Sequence, residues 1–245
     1  MIILARYRHD RNAATGGRTT ARFALAASFL LLAAGCTGRA ESIRLRTSPA
    51  SIFHGGRLKL TAVVSNPGRQ TAMNVFVTAA FAGARARSAT RTVLDPRERF
   101  AAEMALDHIP DPPGVYTAVL RTRYEDRNGR PFSAVASLPV VTGLTSRETS
   151  EGLRCSMSST GLQERARLTL LIENGPAEVR DMRVRLECPA ELECPRPVRR
   201  LAAAAGETVA LTFPVINRGA RPGSRYNAVA VVDWIHKGRH YSRSA

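Results

Sequence analysis

Apolar side chains recur at every second position through most of the chain beyond residue 42. Leu58, Leu60, Ala62 and Val64 alternate with Lys59, Thr61 and Val63. Met73, Val75, Val77, Ala79 and Phe81 form a second run, and Phe100, Ala102, Met104 and Leu106 a third. Tyr116, Ala118, Leu120, Thr122 and Tyr124 form a fourth, with Arg121 and Arg123 facing the other way. Phe132, Ala134, Ala136 and Leu138 form a fifth. A period of two puts one set of side chains on one face of a strand, so each run predicts a strand with a buried face and a wet one. Asn66-Pro67-Gly68, Asp95-Pro96, Asp111-Pro112-Pro113-Gly114 and Asn128-Gly129 fall between the runs. These residue types favour tight turns.

The pattern occurs twice. Leu60 to Gly68 answers Leu168 to Pro176, which aligns Asn66 with Asn174. Asn74 to Ala79 answers Asp181 to Leu186, and Glu98 to Ala102 answers Glu207 to Leu211. Pro113-Gly114-Val115-Tyr116 answers Pro222-Gly223-Ser224-Arg225-Tyr226, and Asn128 to Ser133 answers Lys237 to Ser242. The matches keep their order at offsets of 107 to 110 residues. A unit of that length is a domain rather than a solenoid repeat. In the second copy Leu153, Cys155 and Met157 suit a first strand, and Lys237-Gly238 suits the last hairpin turn. The final strand starts at Arg239 and stops several residues short of its counterpart, so a short edge strand or a truncated frame is expected.

Seven or so short strands per copy, with turns between them and no helical window, read as an immunoglobulin-like sandwich. The predicted fold is all-β: two tandem immunoglobulin-like antiparallel β-sandwiches, at residues 42–143 and 150–245, after a signal peptide. The Asn66-Pro67-Gly68 turn, the Asn74-Val75 start of the next strand and the Pro-Gly-x-Tyr step resemble bacterial CARDB-like and related extracellular immunoglobulin-like domains. That resemblance covers roughly residues 42–245. It implies adhesion, scaffolding or ligand display at the cell surface and supplies no active residues. Tyr116 and Tyr226 look like tyrosine-corner residues, whose hydroxyls tie the loop before their strands.

The front of the chain reads differently. Arg18 and Arg22 precede an apolar run from Phe23 to Ala34, about the length of a signal-peptide core and short for a membrane span. The run ends in Ala33-Ala34-Gly35-Cys36-Thr37. This resembles a bacterial lipoprotein signal, apart from Ala33 where leucine is commoner. The resemblance implies a signal peptide at 1–35, a diacylglycerol on Cys36, a lipidated linker at 36–41 and a membrane tether through the lipid. Thr37, rather than Asp, implies the outer membrane if the cell is Gram-negative. An ordinary secretory signal with a chance cysteine is the alternative.

Composition then narrows the chemistry. The 245 residues hold 36 Lys+Arg against 20 Asp+Glu, a net charge of +16, and all but Lys59 and Lys237 of these bases are arginine. Removing residues 1–35 leaves +12. A basic protein outside the cytosol meets acidic sugars, lipid phosphates and acidic proteins. Arg44, Arg46, Arg121, Arg123, Arg183 and Arg185 fall on expected wet faces, and Arg196, Arg199 and Arg200 in an expected loop. Arg121, Arg123, Arg183 and Arg185 are the candidate binding residues, since guanidinium rows can grip uronate or phosphate bidentately. A solvated face is the plainer reading. Aromatics interleaved for nucleic acid are missing from the rows, so no nucleic-acid partner is expected.

Cys155, Cys188 and Cys194 remain after Cys36, and an oxidising compartment should pair two of them. Cys188 with Cys194 would close a short loop, while Cys155 with Cys188 is the alternative. Asp233, His236 and His240 cluster near the last hairpin, but nothing in sequence aims them at one point, so no metal site is assigned. Gly-x-Ser-x-Gly, His-Glu-x-x-His and phosphate-loop patterns are missing. The expectation is a non-enzymatic envelope lipoprotein without a cofactor. It would serve adhesion or scaffolding, docking an envelope protein or an acidic polysaccharide. A carbohydrate-binding accessory lipoprotein of an exopolysaccharide or secretion system is the alternative.

Overall fold

The structure is a computed structural model of the 245-residue chain. It describes residues 3–4, 43–54, 57–108, 110–144, 152–221 and 225–245. Apart from residues 3–4, the leader at 1–35, Cys36 and the linker at 36–41 lie outside the described residues.

Among the described residues the protein is all-β, without a helix. The first half contains β2 (Arg46–His54), β3 (Arg57–Ser65), β4 (Ala72–Phe81), β5 (Ala84–Arg87), β6 (Arg91–Leu94), β7 (Arg99–Leu106), β8 (Gly114–Glu125) and β9 (Pro131–Thr142). The second contains β10 (Arg154–Ser159), β11 (Arg165–Glu173), β12 (Val179–Glu187), β13 (Leu192–Glu193), β14 (Val198–Ala203), β15 (Thr208–Asn217), β16 (Arg225–Tyr226), β17 (Val229–His236) and β18 (Arg239–Ser244). β1 (Ile3–Leu4) pairs with β16 alone among the described strands.

The strand order repeats. The sheet β2-β3-β7 matches β10-β11-β15, and the neighbours β9-β8-β4-β6 match β18-β17-β12-β14. Each half closes around its own buried cluster. Leu58, Leu60, Val64, Val77, Phe81 and Leu120 centre the first, and Leu168, Ile172, Met182, Val184, Phe213 and Val232 the second. The expected period is visible in β3, whose buried residues are Leu58, Leu60, Ala62 and Val64. Removing that surface from water supplies about 25 cal/mol per Å² of apolar area, the main force that closes each half.

The repeat extends to hydrogen bonds. Asn66 Nδ2 donates to the carbonyls of Gln70 (2.8 Å) and Leu94 (3.0 Å). Asn174 Nδ2 donates to those of Ala177 (2.8 Å) and Ala204 (2.7 Å). The backbone N–H groups of Asn66 and Asn174 donate to Glu98 O and Glu207 O. The carboxylates of Glu98 and Glu207 in turn accept from the N–H groups of Asp95 and Ala204. A buried asparagine that cross-links two loops satisfies carbonyls that would otherwise be orphaned. Tyr116 donates its hydroxyl hydrogen to Pro112 O, and the Tyr226 hydroxyl accepts from the N–H of Arg221 at 3.0 Å. Both tyrosines tie the loop ahead of their strand.

Two strands depart from simple alternation. In β8 every residue from Gly114 to Leu120 is buried, and so is every residue from Val229 to Val232 in β17. Strands read as near-continuous apolar runs when both faces are covered. The outer face of β8 and β9 lies against β17 and β18, and Val119, Val135, Val229 and Val231 form a third buried cluster between the halves. Within β9, Ser133 and Val135 are therefore buried, although they sit on the face expected to be wet.

The halves also touch backbone to backbone. His240 pairs in parallel with Gly114, and its N–H donates to Pro113 O at 3.1 Å. A Cβ on Gly114 would stand 2.0 Å from His240 O, inside any allowed contact. Gly114→Ala should therefore push β18 off β8 and lower stability by about 1–3 kcal/mol, the usual cost of overpacking. Urea unfolding of the purified chain checks this, with Gly83→Ala as the open-space control. Gly83 has a positive φ, so that control carries only a local backbone cost.

Candidate functional site

The richest concentration of charged and polar side chains lies where the halves meet. Glu187, at the end of β12, stands between two arginines. Its Oε2 is 3.4 Å from Arg121 Nη2 on β8, and its Oε1 is 2.8 Å from Arg185 Nε on β12. The Arg185 N–H does not point at the carboxylate, so that contact is an ion pair without a hydrogen bond. Arg121 and Arg185 are about a quarter and a third exposed. They face a carboxylate of the same chain instead of forming an open row. Arg123 and Arg183 are exposed. In the register Arg123 lies opposite Phe76 and Ser133, and Arg183 opposite Arg200 and Asp233. The structure thus joins Arg121 and Arg185 through Glu187 and leaves Arg123 and Arg183 outside that cluster. Arg199 and Arg200 are in strand β14, not in a loop.

A second carboxylate crosses the junction. Glu191 sits in the turn between Cys188 and Cys194. Its Oε1 accepts from Ser133 N–H at 2.9 Å and its Oε2 from Ser133 Oγ at 3.2 Å. Ala190 N–H donates back to Ser133 Oγ at 2.6 Å. Burial pushes the Glu191 carboxyl above its ordinary range, against the opposing pull of the Ser133 donors and Arg121. Its neighbour Tyr124 is also pushed up, first by burial and then by the Glu191 charge.

The third crossing is Asp126 with Arg221, 3.1 Å apart. Burial works against the Asp126 charge. The N–H groups of Arg130 and Asn128 and the Arg221 guanidinium outweigh it, holding the carboxyl below its usual range. Arg221 also lies over the Phe132 ring, 5.1 Å from its centroid. At the other end, His240 stacks on Tyr116 with centroids 3.9 Å apart and planes 3° from parallel. Its Nδ1 is 2.9 Å from Val115 O, so Nδ1 carries the proton. The ring is thus fixed, although the sequence gives no reason for it. Ser242 Oγ donates to Thr117 Oγ1 at 2.6 Å, and Ser137 Oγ to Ser244 Oγ at 3.0 Å.

Cys155, Cys188 and Cys194 are free thiols packed on the second core. Burial pushes the Cys155 and Cys188 thiols up to about 12, and Cys194 up by less. Such thiols are poor nucleophiles.

A cavity of about 420 Å³ opens beside the β17–β18 hairpin of the second half. Trp234, His236 and Lys237 line it from the β17–β18 hairpin, and Asn174 to Ala177 from the β11–β12 turn. Lys237 and Gly238 both have positive φ, the geometry of a two-residue hairpin turn.

No protein-family model matches the chain, and no curated protein matches it. Solved structures similar to it include red sea bream transglutaminase, at 16% identity and a TM-score of 0.30 over 82% of this chain. The chain spans 31% of that enzyme's length. The YadV chaperone matches at 13% identity and a TM-score of 0.26, over 76% of this chain and 90% of its own.

The buried Glu191 gives a pH signature. A carboxyl whose pKa is raised in the fold favours folding below its unfolded value, and that contribution is lost as pH rises through the folded value. Glu191→Gln keeps an acceptor for Ser133 without the charge. Relative to wild type, this variant should gain stability as pH rises from about 4 to neutrality. Denaturant unfolding of both proteins across that range checks it. Asp126 has the opposite sign, since its depressed pKa removes stability only at lower pH.

Proposed function

We propose that the chain is a non-enzymatic lipoprotein of the cell envelope, made of two tandem immunoglobulin-like sandwiches. The leader at 1–35 would be removed and Cys36 acylated. The short linker at 36–41 would then hold the sandwiches close to the membrane, with the outer membrane as the expected site. Its work would be adhesion or scaffolding, docking an envelope protein or an acidic polysaccharide. The observation that carries the reading is the repeated strand order joined through a packed junction. Two sandwiches of fixed mutual geometry suit display from a tether, because a pre-organised surface loses little entropy on binding.

The junction bears on where a partner would dock. Arg121 and Arg185 already face Glu187, which leaves Arg123, Arg183 and Arg200 as the outward members of the candidate basic rows. The alternative, a carbohydrate-binding accessory lipoprotein, draws support from the cavity beside Trp234.

Mass spectrometry of the processed terminus should find a diacylglycerol on Cys36, and Cys36→Ser should release the protein from membranes. An unmodified thiol there would sink the anchoring. Affinity capture from detergent-solubilised envelope should recover a protein or an acidic glycan; an empty eluate would sink the docking role. We also propose that Cys188 and Cys194 pair outside the cytosol. Alkylation with and without prior reduction, read by peptide mapping, should show that pair linked and Cys155 free.

A further inference from the structure

The duplication provides an internal comparison. Tyr124 and Phe132 lie opposite one another at the hairpin end of the first half, stacked at 5.6 Å and 18°. Trp234 and Tyr241 do the same in the second, at 5.6 Å and 20°. Two and three residues past the first aromatic stand Asp126 and Arg127 in one half, and His236 and Lys237 in the other. The offset of 110 is the one that relates Tyr116 to Tyr226.

The two ends have different fates. In the first half Arg221 covers the end, over the Phe132 ring and against Asp126. In the second the equivalent end opens on the 420 Å³ cavity, lined by Leu153, Gly175, Val179, Trp234, His236 and Lys237. An acid at Asp126 is matched by His236, and a base stands next in both, Arg127 and Lys237.

We propose that this cavity binds one uronate residue of an acidic polysaccharide. Its volume lies within the ~300–1,000 Å³ typical of small-ligand sites. Trp234, Leu153 and Val179 give it an apolar wall suited to the C–H face of a sugar ring. Lys237 supplies the positive, hydrogen-bonding group for the carboxylate. The amide of Asn174, on the same rim, is committed to Ala177, Ala203 and Ala204 carbonyls, so charge dominates recognition there. The nearby Glu178 carboxylate is paired with Arg180 at 3.2 Å and does not oppose an incoming anion alone. The β11–β12 turn, the β17–β18 hairpin and the start of β10 enclose the space, so it takes one ring-sized group instead of an extended peptide strand. The inference deepens the docking role proposed above by naming a ligand class and a site.

Trp234 is the only tryptophan of the chain, so its fluorescence reports on the cavity directly. The full chain is titrated with tri-galacturonate, maltotriose and a hexa-aspartate peptide. Tri-galacturonate should give a saturable emission change that added salt weakens, and maltotriose should give none. Lys237→Asn removes the charge with a residue that tolerates the positive φ. It should weaken the uronide by tenfold or more at unchanged melting temperature, and Lys237→Arg should restore most of the affinity. No saturable change, an equal response to maltotriose, wild-type affinity in Lys237→Asn, or a stronger response to the peptide would each overturn the proposal. Cys36 acylation and partner capture are read separately, so failure here leaves the anchoring and docking results standing.

Discussion

The structure depends on the mutual covering of two sheet faces. β8 and β17 each carry apolar residues on both sides, so neither half can present its outer face to water without exposing valine. Val119, Val135, Val229 and Val231 meet between the halves. Burying a valine contributes about 1.5 kcal/mol or more. Two lobes on one short connection see each other at roughly millimolar effective concentration, a level that an intrinsic affinity near 4 kcal/mol matches. Four valines reach that scale. The hydrogen bonds of Ser133 and Ser242 then fix which way the faces lie, because each would lose a partner if the faces slid. Gly114 sets the closest point. Only a residue without Cβ lets the His240 carbonyl approach β8 so nearly.

The charged groups at this junction follow from that geometry. The chain is strongly basic, yet its buried crossings are built around carboxylates: Glu187, Glu191 and Asp126. An arginine row on a packed face would repel itself and pay for desolvation. One carboxylate between Arg121 and Arg185 offsets both effects. Asp126 works the same way on Arg221, with backbone donors completing its shell. Glu191 differs because burial outweighs the Ser133 donors and the Arg121 charge, so its pKa rises. Rising pH therefore weakens the junction through Glu191, and acid weakens it through Asp126.

Much of the fold was legible in the sequence, and the reason is local. Period-two alternation names the buried residues of β3 and β12 correctly, because there one face meets the core and the other meets water. Asn66 and Asn174 align by sequence and make equivalent bonds. The same rule fails at β8, β9 and β17. Alternation cannot tell solvent from a second lobe about a hundred residues away, so Arg121 reads as exposed and Ser133 as wet. A signal was present: Val115 to Leu120 and Val229 to Val232 are nearly unbroken apolar runs, the mark of a strand covered twice. His240 gave no such signal. Its fixed ring depends on Tyr116 and the Val115 carbonyl, which only the packing brings to it.

A duplicated chain also shows which positions are free to diverge. The core residues of the two halves stay apolar and similar in size, since both sheets impose the same spacing. The hairpin ends have different neighbours: Arg221 lies over the first, while the second sets His240 on Tyr116 and borders the cavity. Asp126 is held by an arginine supplied from within the chain, and replacing it with a base would set two positive charges against each other. At the matching place stands His236, with Lys237 where the first half has Arg127. One acid exchanged for an imidazole, beside a base kept in both copies, thus accompanies the different surroundings of the two ends. The chemistry of the second end is set by what can approach that cavity from outside the sheets, which makes it the place where the two copies can do different work.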